Sequence, residues 1–185
     1  MDVKQKWNSK HTDRLYQNVV ATPNTRLMNL APYLSGGSAV DLACGLGANS
    51  YFLAKCNYHV KAFDISDIAI NDIQVNAAKQ QLPIVAHVRD LTEWNELDLE
   101  ENTIDLVVIT YYLDRHIFPF VKSIIKPNGY FFMETFYLSS INDQNNVSDQ
   151  YKLQPKELLL EFSEWDILFY EENEQESRQT ILARK

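Results

Sequence analysis

An α/β fold, with a doubly wound, mostly parallel sheet and an antiparallel C-terminal hairpin, is predicted from three features of the sequence. Short apolar runs alternate with stretches long enough for a helix, which is the succession of βαβ units. The first such run, Ala39 to Cys44, follows one glycine turn and leads into another glycine-bearing loop. The last two runs, Asp166 to Tyr170 and Thr180 to Ala183, are separated only by a Glu/Asn/Gln-rich stretch too short for a crossover helix, so they are expected to pair antiparallel.

The elements follow in order. The first 35 residues are polar and aromatic, with Trp7, Tyr16 and Tyr33, and carry a helical apolar rhythm at Leu27, Leu30 and Ala31 that ends at Gly36-Gly37. They are expected to form a helical cap (1–35) on a core (36–185) within a single domain, 1–185. Ala39 to Cys44 is the first strand, Ala48 to Leu53 a helix and His59 to Asp64 the second strand. Ser66 and Asp67 then cap a helix whose apolar side is Ile70, Ile73 and Ala77, and Pro83 stops it. Ile84 to Val88, Ile104 to Thr110 and Tyr130 to Phe136 are further strands, with a helix at Phe120 to Ile125. Right-handed crossovers put helices on both faces of such a sheet. Ser139 to Gln150 stands apart, because ten of its twelve residues are polar and none is Gly or Pro. A mobile lid over an acceptor site is expected there.

Composition narrows the function. The 185 residues are 45% hydrophobic and 23% charged, a balance that suits one globular domain and excludes a disordered tail. Cys44 and Cys56 lie in apolar stretches without metal or disulfide-framework spacing, so no metal is expected and a reducing cytoplasm is the natural setting. The first ten residues lack the apolar core of a signal peptide, and no run approaches the ~20 apolar residues of a membrane span. A net charge of −8, with basic residues unclustered, disfavours nucleic acid and anionic membranes. The expected partner is a small molecule.

An open α/β sheet binds its ligand outside the carboxyl ends of its strands, beside the first one. There the sequence reads Asp41-Leu-Ala-Cys-Gly45-Leu-Gly47-Ala-Asn-Ser50, using two of the chain's five glycines. These let a ligand approach backbone, although a tight strand-to-helix turn would also use them. A nicotinamide dinucleotide fingerprint wants a third glycine where Ser50 stands, which puts that cofactor second. Asp64 closes the second strand, 23 positions after Asp41, where it can accept from both hydroxyls of a ribose; alternatively it caps the helix near Ser66. Both carboxylates are expected to face one crevice. Asp90 follows the third strand and is placed to receive an adenine amine, the base lying between Ile65 and Leu91, or it is an exposed turn residue. The fourth strand ends in Tyr111, Tyr112, Asp114, Arg115 and His116, a concentration of polar aromatic and titratable groups that can grip a ligand or simply reach water. Glu134 ends the fifth strand, as a site residue or a structural salt-bridge partner.

These residues resemble the class I S-adenosylmethionine-dependent methyltransferases. Asp-Leu-Ala-Cys-Gly-Leu-Gly, Asp64, Asp90, Ile104-Asp-Leu-Val-Val-Ile-Thr and Lys126-Pro-Asn-Gly129 occur in the order and spacing of that family's motifs. Within it the chain is most similar to the small bacterial tellurite-resistance methyltransferase group, through Trp7-Asn8, Tyr112-Leu113, Glu134-Thr-Phe136 and Leu153-Gln-Pro-Lys-Glu157-Leu, from about Trp7 to Arg184. The resemblance implies a Rossmann-like sheet of seven strands with the last antiparallel, and S-adenosyl-L-methionine as cofactor. It implies that backbone around Ala43, Gly45 and Gly47 holds the methionine portion, that Cys44 and Asn49 also bind the cofactor, and that Asp64 takes the ribose. Ile65 and Leu91 would cover the adenine faces, Asp90 its amine, Ile109 would flank the methionine side, and Asp41 would orient the loop. Two departures are Ala43, where many members have glycine, and Pro-Asn-Gly in place of Pro-Gly-Gly, a change expected to touch only a hairpin.

The sulfonium carries its own leaving group, so in-line transfer needs alignment more than acid/base chemistry. Tellurite, selenite or a thiol is the expected acceptor, with His116, Arg115, Tyr111, Tyr112 and Trp7 as candidate catalytic residues. Arg115 could attract an oxyanion or form a surface ion pair, and His116 is the nearby base a neutral acceptor would need. Nucleic-acid methylation is disfavoured by Thr-Tyr-Tyr-Leu after the fourth strand and by the lack of a Pro-Cys nucleophile. The alternatives are a non-catalytic cofactor- or partner-binding module and, less favoured, an NAD-dependent oxidoreductase.

Overall fold

A computed structural model describes residues 2–139 and 147–185. The chain runs through α1 (Val3–Tyr16), α2 (Thr25–Asn29), β1 (Gly37–Leu42), α3 (Ala48–Lys55), β2 (Tyr58–Asp64), α4 (Asp67–Gln80) and β3 (Ile84–Val88). It continues through β4 (Ile104–Thr110), α5 (Phe118–Ile124), β5 (Ile125–Phe136), α6 (Glu157–Glu161), β6 (Asp166–Asn173) and β7 (Arg178–Arg184). The seven strands form one mixed sheet in the order β3-β2-β1-β4-β5-β7-β6. β1 and β3 each pair parallel with β2, and β4 pairs parallel with β5. β7 runs antiparallel to both β5 and β6, as the short β6–β7 connection requires. Contacts group the chain into two compact units, residues up to Asp98 and residues from Leu99 onward.

In the first unit, α4 packs Ile70 and Ile73 against Ala62 and Ala86 of the strands, with Cys44, Tyr51, Ile84 and Val88 around them. Ser66 caps α4 by accepting from the Ala69 amide at 3.2 Å, and the helix ends where Gln81 turns left-handed, two residues ahead of Pro83. β1 stops at Leu42, short of the expected Cys44, because Ala43 adopts φ +56° and breaks the extended run. Gly47 starts α3 at φ +77°, and a Cβ on it would stand 2.8 Å from Ile73 Cγ1.

In the second unit, Leu106, Val107, Val108 and Ile109 of β4 and Phe131 and Phe132 of β5 are fully buried, and Phe162 stacks on Phe131 at 4.5 Å. β5 begins at Ile125, so the helix expected through that residue ends one residue earlier, at Ile124, and Lys126–Gly129 is not a hairpin turn. Asn128 takes φ +65° inside β5, its amide donates to the Lys185 carbonyl at 2.8 Å, and the Lys185 amide donates to Gly129 at 3.0 Å. Across it the pairing with β4 shifts from Ile104 with Ile125 to Leu106 with Tyr130, an irregularity inside a continuous strand. A second irregularity falls in β6 between Ile167 and Phe169. The lid expected over Ser139 to Gln150 falls largely on residues 140–146, outside the described residues.

Gly47→Ala is expected to destabilise the chain by about 1–3 kcal/mol, through the positive φ and the collision with Ile73. Urea denaturation checks this; an unchanged midpoint would mean the loop does not pack on α4 as described.

Candidate functional site

The loop after β1 is built around one carboxylate. Asp64 ends β2 and is nearly buried; its Oδ2 accepts from the Gly45 amide at 2.8 Å and its Oδ1 from the Ser66 amide at 2.9 Å. Asp64 thus fixes the entry to α4, as the capping reading expects, and also holds the glycine loop. Asp41 does not share a crevice with it, as the sequence led one to expect. Asp41 is fully buried, and its Oδ2 accepts from the Ser50 hydroxyl at 2.6 Å, tying β1 to the first turn of α3. Burial pushes the Asp41 carboxyl up to about 7, against the Ser50 hydrogen bond and with the Asp64 charge adding to the rise. Its Oδ1 is buried without a hydrogen-bond partner, which suits a carboxyl that carries its proton. Cys44 lies partly buried between these carboxylates, and burial pushes its thiol well above the ordinary range, so it is no nucleophile at neutral pH. Asn49 accepts from the Asn24 amide at 2.8 Å and so holds the start of α2.

An open cavity of about 650 Å³ borders this region, lined by Ile65, Val88, Arg89, Asp90, Glu93 and Glu96, and by Asp2, Val3 and Lys4 of the α1 start. Asp90 is exposed there and caps the turn Leu91–Glu96, accepting from the Thr92 amide at 3.0 Å and its hydroxyl at 2.7 Å. Leu91 is buried. Trp7 of α1 stacks on His11, ring centroids 5.8 Å apart, with Lys10 Nζ 4.6 Å from the Trp7 ring.

The remaining candidates lie in the second unit. Ile109 is buried in β4. Tyr111, at φ +58°, is half exposed, and its hydroxyl donates to Glu134 Oε1 at 2.8 Å. Glu134 is itself buried, and its Oε2 accepts from the Thr180 hydroxyl at 2.9 Å. Tyr112 follows, partly buried. The Arg115 guanidinium is forked by Glu157, at 2.6 Å and 2.9 Å, and also donates to the Lys152 carbonyl at 3.0 Å. His116 is 91% exposed, and its Nδ1 lies 3.0 Å from Asp114 Oδ1, which also accepts from the His116 amide. Two groups not foreseen are Arg178, whose guanidinium lies 3.7 Å from the Phe136 ring and 5.0 Å from that of Tyr111, and His11, buried against Gly45. The spacing of Trp7, Asn8 and His11 on one helical face carried a signal for His11; Arg178 carried none.

The model of the tellurite resistance protein TehB family matches residues 9–182. The chain belongs to the TehB family. Among curated relatives, hemagglutinin 1 of Eikenella corrodens is 26% identical over 140 residues, 72% of this chain and 45% of that protein. A probable S-adenosyl-L-methionine-dependent methyltransferase TehB of Haemophilus influenzae is 24% identical over 159 residues, 83% of this chain and 54% of that protein. The chain spans about half the length of these relatives. The crystal structure of TehB from Haemophilus influenzae matches with a TM-score of 0.78 at 23% identity, over 93% of this chain and 65% of that one. A geranyl diphosphate C-methyltransferase of Streptomyces coelicolor, solved with Mg2+, geranyl diphosphate and S-adenosyl-L-homocysteine, matches with a TM-score of 0.69 at 13% identity, over 86% and 77%. The TehB-family chain thus has the Rossmann-like methyltransferase fold that its motifs implied.

The state of Asp41 is open to measurement. Its carboxyl binds a proton more tightly in the folded chain than at the ordinary value of 3.8, so folding stability falls as pH rises from about 4 to about 7, by up to about 4 kcal/mol. Asp41→Asn removes the titration. The variant is expected to gain on the wild type between pH 5 and pH 8 in urea midpoint; parallel profiles would show that Asp41 does not titrate there.

Proposed function

We propose that this TehB-family chain is an S-adenosyl-L-methionine-dependent methyltransferase that transfers a methyl group in line to a small soft nucleophile, namely tellurite, selenite or a thiol. The observation that carries the reading is Asp64, a strand-end carboxylate that draws the Gly45 amide to itself beside the cavity of Ile65, Val88 and Asp90. The residues fit the cofactor. At Gly45 (φ +53°), absence of a side chain leaves backbone open, and a buried His11 nitrogen next to it lacks a partner. When bound, the sulfonium supplies an activated methyl with its own leaving group.

In this reading Asp64 takes the ribose hydroxyls through its remaining lone pairs, and the backbone of Ala43, Cys44, Gly45 and Gly47 receives the methionine portion, with Asp41 bracing the loop from below. Ile65 and Leu91 serve the adenine faces and Asp90 its amine. Tyr111, Tyr112, His116 and Trp7 serve the acceptor, and Ile109 the methionine side. Arg115, committed to Glu157, acts on the acceptor by positioning the turn that carries His116. An oxyanion, or a thiol that has already given its proton to solvent and reacts as the thiolate, needs alignment and partial desolvation rather than a protein base. The partner is a small molecule, not nucleic acid or membrane, and the setting is the cytoplasm; the net charge of −8 supports this, and no helix among the described residues is long and apolar enough to cross a membrane.

Calorimetric titration with S-adenosyl-L-methionine, S-adenosyl-L-homocysteine and NAD tests the reading. Binding of the two sulfur nucleotides without NAD is expected; NAD alone would replace it with an oxidoreductase. Asp64→Ala is expected to weaken the sulfur nucleotides by about 1–3 kcal/mol, because ribose hydroxyls lose an ionic acceptor; unchanged affinity would remove Asp64 from the site. His116→Ala is expected to keep chalcogen or thiol methylation within about tenfold, whereas loss of a required base costs about 100-fold or more. Initial rates with tellurite, selenite and small thiols separate the two.

A further inference from the structure

Helix α1 has a single buried residue, and it is a histidine. Lys4, Trp7, Asn8 and His11 recur at helical spacing and share one face. That face meets the first unit at three places in succession. Near its start, Lys4 joins Asp2 and Val3 in lining the cavity of Ile65, Val88 and Asp90. In the middle, Asn8 donates to Asp67 at 2.7 Å and accepts from the Ser66 hydroxyl at 2.6 Å, while Lys4 pairs with Asp67 at 3.0 Å. At the far end, His11 Cε1 lies 3.4 Å from the place of a Gly45 Cβ. From Lys4 to His11 the helix advances seven residues, about 10 Å. The helix therefore runs from the adenine cavity, past the strand end of Asp64, to the glycine loop, the order in which an adenosyl amino acid would lie.

His11 is 2% exposed, and its Nδ1 has no hydrogen-bond partner. Burial holds the imidazole below its ordinary range, against the pull of the Asp64 carboxylate, so the ring is neutral at pH 7. A neutral ring offers one donor and one acceptor, and leaving one of them buried and unpaired costs free energy. We propose that His11 is a cofactor-binding residue whose Nδ1 hydrogen-bonds the amino-acid end of the sulfonium nucleotide, against the glycine loop. This rests on the methyltransferase reading above. The amino-acid end presents an ammonium donor and a carboxylate acceptor, so either tautomer of His11 finds a partner, while the ribose is taken by Asp64 midway along the same face.

Titration with S-adenosyl-L-homocysteine and with 5′-methylthioadenosine, which keeps the adenosine and sulfur but lacks the amino-acid end, tests this. His11→Phe, which fills the space, is expected to weaken S-adenosyl-L-homocysteine by about tenfold or more and methylthioadenosine by less than about twofold. His11→Gln, which keeps a hydrogen-bonding group, is expected to restore part of the difference. Methylthioadenosine binding by either variant shows that it folds, and the ratio of the two ligands can be read from whichever does. Equal weakening of both ligands, or no weakening, in the folded variant overturns the proposal. A wild type that binds neither ligand overturns the methyltransferase reading itself, and His11 with it.

Discussion

The two hydrogen bonds to Asp64 are the constraint on which the carboxyl end of β1 and β2 in the first unit depends. One carboxylate gathers amides from two separate connections, Gly45 after β1 and Ser66 before α4, and so fixes where both helices start relative to the strand ends. The loop must then turn sharply within a few residues, and Ala43, Gly45 and Gly47 all take positive φ to do so. For Ala43 that conformation has a steric cost a glycine would avoid. Gly47 in turn admits Ile73 of α4 against its Cα, so the bend of the loop and the packing of the helix are one requirement. Beneath them Asp41 and Ser50 lock strand to helix through a buried hydrogen bond.

Most of this was legible in the sequence, because it depends on residue types that act locally. Glycines, the Ser66 cap and the alternation of apolar runs announce turns, helix starts and strands without knowledge of partners. Boundaries were misread where a non-glycine residue left the extended region, at Ala43 after β1 and at Asn128 inside β5; nothing in an alanine or in Pro-Asn-Gly distinguishes a strand end or irregularity from a continuing strand or a hairpin. The side-chain partners were not legible. Arg115 finds Glu157 42 residues later, and Glu134 finds Thr180 46 residues later, pairings that only the antiparallel return of β7 and the placement of α6 create. His11 escaped for a different reason: it shares helical spacing with Lys4, Trp7 and Asn8, but a face of such polar residues reads as a solvated one although His11 is buried.

The second unit shows that a charged residue at a strand end has more than one use. Arg115 and Glu157 meet in a two-point fork, a geometry that fixes orientation as well as distance, and the Arg115 bond to the Lys152 carbonyl extends the tie into the backbone. Glu134 is buried, and each of its oxygens accepts from a hydroxyl, of Tyr111 and of Thr180. His116, by contrast, stands in water, with Nδ1 against Asp114; the tautomer that donates Nδ1–H to that carboxylate leaves Nε2 to accept.

The bulge in β6 has a consequence for how the molecules behave among themselves. β6 is a margin of the sheet, and a margin exposes amide and carbonyl groups on which another chain's strand could build. Between Ile167 and Phe169 the regular ladder is interrupted, and the strand carries Asp166, Glu171 and Glu172 within eight residues. A second copy docking edge to edge would meet an irregular template and bring its own acidic side chains beside these. The net charge of −8 adds a general repulsion between copies at neutral pH, and acidification toward the isoelectric point near 5.0 weakens it.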